Sequence, residues 1–213
     1  MRTNGADTKV RHYHERMDRD GILSRAEPVL DSFYEAVLAC HCEPPFKPSI
    51  AIATSPRPIE PAARTGMDRY AAIGTLGLSG RAQYEEIFQG LLVAHELGHW
   101  LQMIGHQPWT RWQAEYGANR IMVAFWREYP SPVASTEARL ANFTVQPPHF
   151  PSLIPEGLGM PIETFFDQAY EEIERNPVRY AGFQKMMVRR AVAEEPKPRF
   201  CELVRSTWPD ALA

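Results

Sequence analysis

The stretch YEEIFQGLLVAHELGHWLQMI, residues 84–104, decides how this chain folds. Large apolar side chains point in nearly every direction around its 3.6-residue period, which predicts a helix buried on most sides. Gly105 supplies the signal that ends this helix. Within its second half, residues 91–104, stand three titratable side chains, which are His95, Glu96 and His99. Burying polar groups without partners costs about 1–3 kcal/mol each, so something must satisfy these three.

The spacing of the three polar residues indicates a metal site. His95 and His99 are separated by one helical turn, so both imidazoles project from one face and can reach a single ion at about 2.0–2.1 Å. Glu96 lies about 100° further round the helix, which suits a general base that takes a proton from a water beside the metal. This HExxH pattern is typical of zinc peptidases.

Zinc in a catalytic site takes a third protein ligand, for which His106 and Glu115 are the candidates. The HExxHxxGxxH pattern of metzincins does not fit, because its glycine would stand at position 102 and its last histidine at position 105. These residues are Gln102 and Gly105. Thr110 and Gln113 form a predicted capping box that opens a second helix ending near Tyr129. The first helix continues for about five residues beyond His99, and Glu115 lies about four residues into the next helix. If the two helices are antiparallel, Glu115 lies at the level of the histidines, so a helical hairpin favours Glu115.

Asn119 follows Glu115 by one turn and is placed to accept the outer N–H of a metal-bound histidine. HExxH followed on the next helix by Glu-x-x-x-Asn resembles the gluzincin metallopeptidases, closest to the small ImmA/IrrE-type or minigluzincin-like members. The resemblance covers residues 70–129. It implies three zinc ligands, which are His95, His99 and Glu115. It also implies Glu96 as general base and acid and Asn119 as the partner of a ligand histidine.

The expected fold class is α+β and mainly helical. The resemblance implies a zincin-like arrangement, in which a small sheet packs on the HExxH helix and on the glutamate helix that follows. Residues 49–53 and 70–78 are the two strand candidates, and the second would pair with substrate as an edge strand. The length of 213 residues suits one metallopeptidase domain.

Four segments divide that single domain, 1–213. A polar N-terminal arm covers residues 1–25, and a helix is predicted over 26–40. The metal-site core spans 70–129, and a proline-rich excursion with few periodic signals spans 130–161. C-terminal helices, predicted over 162–175 and 178–194, belong to the segment 162–213.

Charge and cysteine content limit the partners. Lys and Arg number 23 against 26 Asp and Glu, so nothing in the net charge of −3 favours nucleic acid. We find no leader segment and no apolar stretch of membrane-spanning length, and we expect no membrane partner and a cytoplasmic location. The three cysteines, Cys40, Cys42 and Cys201, are too few for a disulfide framework, which predicts reduced thiols. The oligomeric state is left open.

Together these patterns predict a zinc-dependent metallopeptidase that acts on a peptide or protein substrate through a zinc-activated water, with Zn²⁺ as its cofactor. The alternative is a regulatory or protein-binding member of the same fold with little or no turnover. Such enzymes also need a donor for the developing oxyanion. Four side chains suit that role by type, and these are Tyr116, His149, Tyr170 and Tyr180.

Overall fold

The computed structural model describes residues 5–49, 74–78, 80–146, 152–155, 157 and 159–209. In chain order the helices within them are α1 (Gly5–Ala39), α2 (Gly80–Glu85), a π-helix π1 (Glu86–Leu91), α3 (Val93–Gly105), α4 (Arg111–Glu128), α5 (Thr136–Thr144), α6 (Ile162–Glu174), α7 (Pro177–Val192) and α8 (Phe200–Thr207). None of these helices is long and apolar enough to span a lipid bilayer.

Helix α4 lies at the centre and contacts α3, α5, α6, α7 and α8. Its first turn is fixed by the predicted capping box, in which the Gln113 backbone N–H donates to Thr110 Oγ1 (3.2 Å) and the Thr110 N–H donates to Gln113 Oε1 (3.0 Å). Helix α3 ends at His106, whose left-handed φ of 50° turns the chain towards α4. The predicted helical hairpin is therefore confirmed.

Two apolar clusters hold the helices around α4. In the larger one, the fully buried ring of Phe33 from α1 lies 5.1 Å from the ring of Phe125 and 5.2 Å from that of Phe200, measured between ring centres. In the smaller one, Trp112 at the start of α4 packs edge-on against Phe166 of α6. The two clusters thus hold α4 at Trp112 and at Phe125, and Glu115 stands between these two positions.

Helices α3 and α4 cross closely at Gly98. A Cβ atom added to Gly98 would lie 2.9 Å from Ala118 Cα and 3.3 Å from the Ala118 carbonyl oxygen, and neither backbone atom can move without moving α4. Only a glycine therefore permits this separation of the two helices.

Replacing Gly98 by Ala should push α3 and α4 apart, lower the free energy of unfolding by about 1–3 kcal/mol and weaken metal binding, because Glu115 moves away from the two histidines. Urea unfolding and metal titration measure the two effects. Gly21→Ala on α1 is the control, since its Cβ would meet only the flexible end of Arg25 and alanine favours a helix. Equal stability of Gly98→Ala and the wild type would contradict the close crossing.

The predicted small sheet is wrong, because no strand occurs among the described residues. Residues 74–78 are irregular: the backbone N–H groups of Thr75 and Leu76 donate to Asn142 Oδ1 on α5, at 2.7 and 3.3 Å. A side chain thus supplies the acceptor that a strand finds in its neighbour. Residues 50–53 and 70–73 of the two strand candidates lie outside the described residues, and a zincin-like fold with a sheet is not supported.

Three helical regions differ from the sequence prediction. Helix α1 begins at Gly5, within the segment assigned to a polar arm. Helix α5 lies inside the proline-rich excursion 130–161, where its N-cap Ser135 accepts the N–H of Ala138 at 3.3 Å. Helix α8 follows the predicted C-terminal helices. The last two have only nine and eight residues, too few turns for a clear apolar period.

The prediction of reduced thiols is wrong for two of the three cysteines. Cys40 at the end of α1 and Cys201 in α8 form a disulfide across 161 residues of sequence. Cys42 is a free, buried thiol, and burial raises its pKa while the charge of Arg205 acts in the opposite direction. The bridge fastens the two helices to each other beside the larger apolar cluster.

Candidate metal centre

Helices α3 and α4 bring His95, His99 and Glu115 together. The Nε2 atoms of the two histidines are 3.1 Å apart, and Glu115 Oε2 lies 3.4 Å from His95 Nε2 and 3.6 Å from His99 Nε2. His95 and Glu115 are buried, whereas the side chain of His99 is 31 % exposed and opens the group on one side. Three ligand atoms of the types that bind transition metals thus converge on one point, and the group could hold a metal ion.

The rival ligand His106 is not part of this group. It is the exposed C-cap of α3, and its left-handed backbone directs the chain into the loop before α4. Glu115 instead stands one turn into α4, at the level that the capping box sets. The structure thus places at the centre the residue that the hairpin geometry favoured.

Asn119 fixes the orientation of His95. Its Nδ2 donates to the backbone carbonyl of Glu115 (3.0 Å) and to Gln184 Oε1 (2.7 Å), so its Oδ1 faces His95 Nδ1 at 3.1 Å. Because an amide oxygen only accepts, Nδ1 of His95 carries the hydrogen and Nε2 is left to face the group. This is the contact that the sequence predicted for Asn119.

Gln102 does the same for His99, although it was not among the predicted site residues. Its Nε2 donates to the Ala114 carbonyl (2.8 Å), and its Oε1 lies 2.9 Å from His99 Nδ1. The signal was present in the sequence, since residues three apart on a helix are neighbours. Gln184 of α7 was also missed: its Nε2 donates to Glu115 Oε2 at 2.6 Å, a contact between residues 69 positions apart.

The group attracts positive charge. With both Nδ1 atoms carrying hydrogen, two Nε2 lone pairs and a carboxylate face one another, which is unfavourable unless a proton or a metal ion lies among them. Burial would lower the pKa of His99, but the hydrogen bond and charge of Glu115 outweigh burial and raise it. Burial would likewise raise the pKa of Glu115, yet His95 and His99 hold it well below its usual range.

Glu96 is exposed and lies on α3 beside the group. Its negative charge contributes to the raised pKa of His99, after the larger effects of burial, Glu115 and Gln102. The carboxylate is thus a charged neighbour of the centre without being one of the three converging ligands.

The four candidate oxyanion donors fall into three situations. Tyr170 and Tyr180 lie at the centre: the Tyr170 hydroxyl donates to Glu115 Oε1 at 3.3 Å. Burial, followed by the charge of Glu115, raises the pKa of Tyr170 to about 12 and raises that of Tyr180 further. Tyr116 instead donates to Glu194 at 2.5 Å. His149 lies outside the described residues.

Replacing Asn119 by Ala should weaken metal binding about 10–100-fold, because His95 loses the acceptor that holds its ring and tautomer. Competition with a chromophoric chelator measures the affinity. Asn176→Ala is the matched control, since it also removes an asparagine hydrogen bond, to the Arg179 N–H at the N-cap of α7 (3.1 Å), without removing the acceptor of His95. If both variants bind metal as the wild type does, Asn119 has no positioning role.

Comparisons of the chain with protein-family models, with curated proteins and with solved structures give no match. The gluzincin resemblance therefore rests on the HExxH and Glu-x-x-x-Asn residues alone.

Proposed function

We propose that this protein is a zinc-dependent metallopeptidase that hydrolyses peptide bonds in peptide or protein substrates. One observation carries the proposal: the three ligand atoms are separated by 3.1, 3.4 and 3.6 Å. Two atoms that each bind a tetrahedral zinc at about 2.0–2.1 Å are separated by about 3.3–3.4 Å. The three side chains thus already stand at nearly the separations that one zinc ion requires.

The ligand set supports zinc over other metals and catalysis over a purely structural role. Two imidazoles and one carboxylate form a common ligand set of catalytic zinc, whereas structural sites use four protein ligands, mostly cysteine and histidine. Among the described residues only His95, His99 and Glu115 converge, and the partly exposed His99 gives solvent access to the group.

Zinc held there would polarise the substrate carbonyl and lower the pKa of a water towards 7. Glu96 is the residue to take the proton from that water and to deliver it to the leaving amine. Tyr170 and Tyr180 are the hydroxyl donors beside the centre, on the side of Glu115. Gln102 and Asn119 keep both histidines in the tautomer that offers Nε2.

The location of the protein is a separate matter. Disulfides are rare in cytosolic proteins, so the Cys40–Cys201 bridge does not favour the predicted cytoplasmic location.

Metal reconstitution tests the proposal. The protein is stripped with a chelator and reloaded with zinc, and metal content and cleavage of an unstructured protein are measured on the same sample. We expect close to one zinc per chain and hydrolysis that disappears on chelation and returns with zinc. Zinc binding without hydrolysis would favour the alternative, a regulatory or protein-binding role with little or no turnover. Absence of zinc binding would overturn the metal centre itself.

A further inference from the structure

A groove of about 550 Å³ lies against α3, on the face next to the candidate metal centre. Its walls come from α1, residues 46–49, π1 and α3. Most of the lining is apolar, and its largest side chains are Leu30, Phe46, Phe88, Leu97, Trp100 and Met103. A volume of this size is typical of ligand pockets and exceeds what one small side chain fills.

Exposed apolar side chains concentrate at this groove. Six large apolar side chains are exposed among the described residues, and three of them line the groove: Phe46 at 50 %, Phe88 at 44 % and Met103 at 56 %. Single exposed apolar residues are ordinary, but a cluster in a concave surface marks a binding site. The free energy gained by covering them favours an apolar occupant.

Glu96 connects the groove with the metal centre. It belongs to the groove wall, and it lies one helical step from His95 and close enough to His99 for its charge to be felt. Along α3, the histidines occupy one face, Glu96 lies next to it, and Trp100 lies further round in the groove. An occupant of the groove is therefore adjacent to the point where the proposed reaction takes place.

The charge at the groove also suits an uncharged segment of a peptide. Lys47 at the rim is already paired with Asp31 at 2.8 Å, so it offers no unmatched charge to an acidic occupant. A peptide segment with a large apolar side chain covers the apolar walls and brings no charge that would need a partner there.

We propose that this groove is the subsite that selects the substrate: it holds a large apolar side chain of the peptide, Phe or Leu in class, next to the bond that is cleaved. The inference rests on the proposed peptidase function. Phe46, Phe88 and Met103 are its specificity-determining residues, because they form the exposed apolar walls.

The test begins with zinc-loaded, full-length protein. Cleavage sites in an unstructured protein are mapped by mass spectrometry, and short peptides around one site are then made with Phe, Ala or Glu at each flanking position. At one flanking position we expect kcat/KM to be at least about tenfold higher for Phe than for Ala, and lowest for Glu.

Variants at exposed positions connect that preference to the groove. Phe46→Lys should reduce the ratio of Phe to Glu cleavage about tenfold by favouring the acidic peptide, a gain that misfolding cannot produce. Met103→Ala should lower the ratio of Phe to Ala cleavage, because it removes apolar wall that the larger side chain contacts. Val133→Lys is the matched control, since Val133 is 63 % exposed and lies outside the groove.

The outcomes separate the two proposals. Cleavage with no apolar preference, or with ratios that Phe46→Lys leaves unchanged, would overturn the groove as a subsite while the peptidase function stands. Absence of any cleavage by the zinc-loaded protein would overturn the peptidase function and the subsite with it. A change from dimer to monomer in Phe46→Lys, with cleavage ratios unchanged, would show that a second copy of the chain covers the groove instead.

Discussion

Replacing Glu96 by Gln should leave zinc bound at close to one ion per chain and reduce peptide hydrolysis about 10²–10⁴-fold. Glutamine keeps the size of the side chain but cannot accept and return a proton. Because Glu96 is exposed and does not converge with the three ligand atoms, its replacement should alter neither the fold nor the metal affinity. Metal content and kcat/KM measured on one preparation check both parts.

Glu137→Gln is the matched control for this experiment, since Glu137 is an exposed carboxylate in the first turn of α5, away from the centre. It should hydrolyse peptides as the wild type does. Loss of zinc in Glu96→Gln would mean that the carboxylate is a ligand. Full activity in that variant would mean that another group takes the proton.

Replacing Glu115 should have the largest effect on metal binding. Glu115→Ala removes one of three ligands and should weaken zinc binding by more than about 100-fold, beyond the effect of changing a neighbour of a ligand. Glu115→Gln keeps the buried volume and has the same expected direction, which separates loss of the charge from loss of packing. Isothermal titration of the stripped protein measures both affinities.

His106→Ala is the control for Glu115, because His106 is the ligand that the sequence offered as a rival and the structure places at the exposed end of α3. It should bind zinc as tightly as the wild type. If His106→Ala lost the metal and Glu115→Ala kept it, the α3–α4 hairpin would not be the framework of the centre.

The α3–α4 hairpin was predictable because its signals are local. An apolar helix with two histidines four residues apart needs no knowledge of the rest of the chain, and Thr110 with Gln113 fixes the start of the next helix. From these signals the positions of Glu115 and Asn119 followed by counting along two helices. The close crossing of α3 and α4 at Gly98 then brings the counted positions together.

Other parts of the fold were not predictable because they depend on contacts between distant residues. Thr75 and Leu76 lie in a stretch with strand-like composition, but Asn142, 67 and 66 residues away, takes up their N–H groups. Gln184 of α7 donates to Glu115, and no pattern in the sequence predicts this contact between distant residues. Cys40 and Cys201 are likewise paired only by the packing of α8 against the core.

That pairing joins the end of α1 to α8. Because 161 positions separate Cys40 from Cys201, a single backbone cut anywhere between them yields two pieces that remain covalently joined. A peptidase that nicked its own chain within residues 130–161 would keep its full mass on a gel run under oxidising conditions. Only a reducing agent would separate the two fragments, so such a cut would not be detected in a preparation that is run without one.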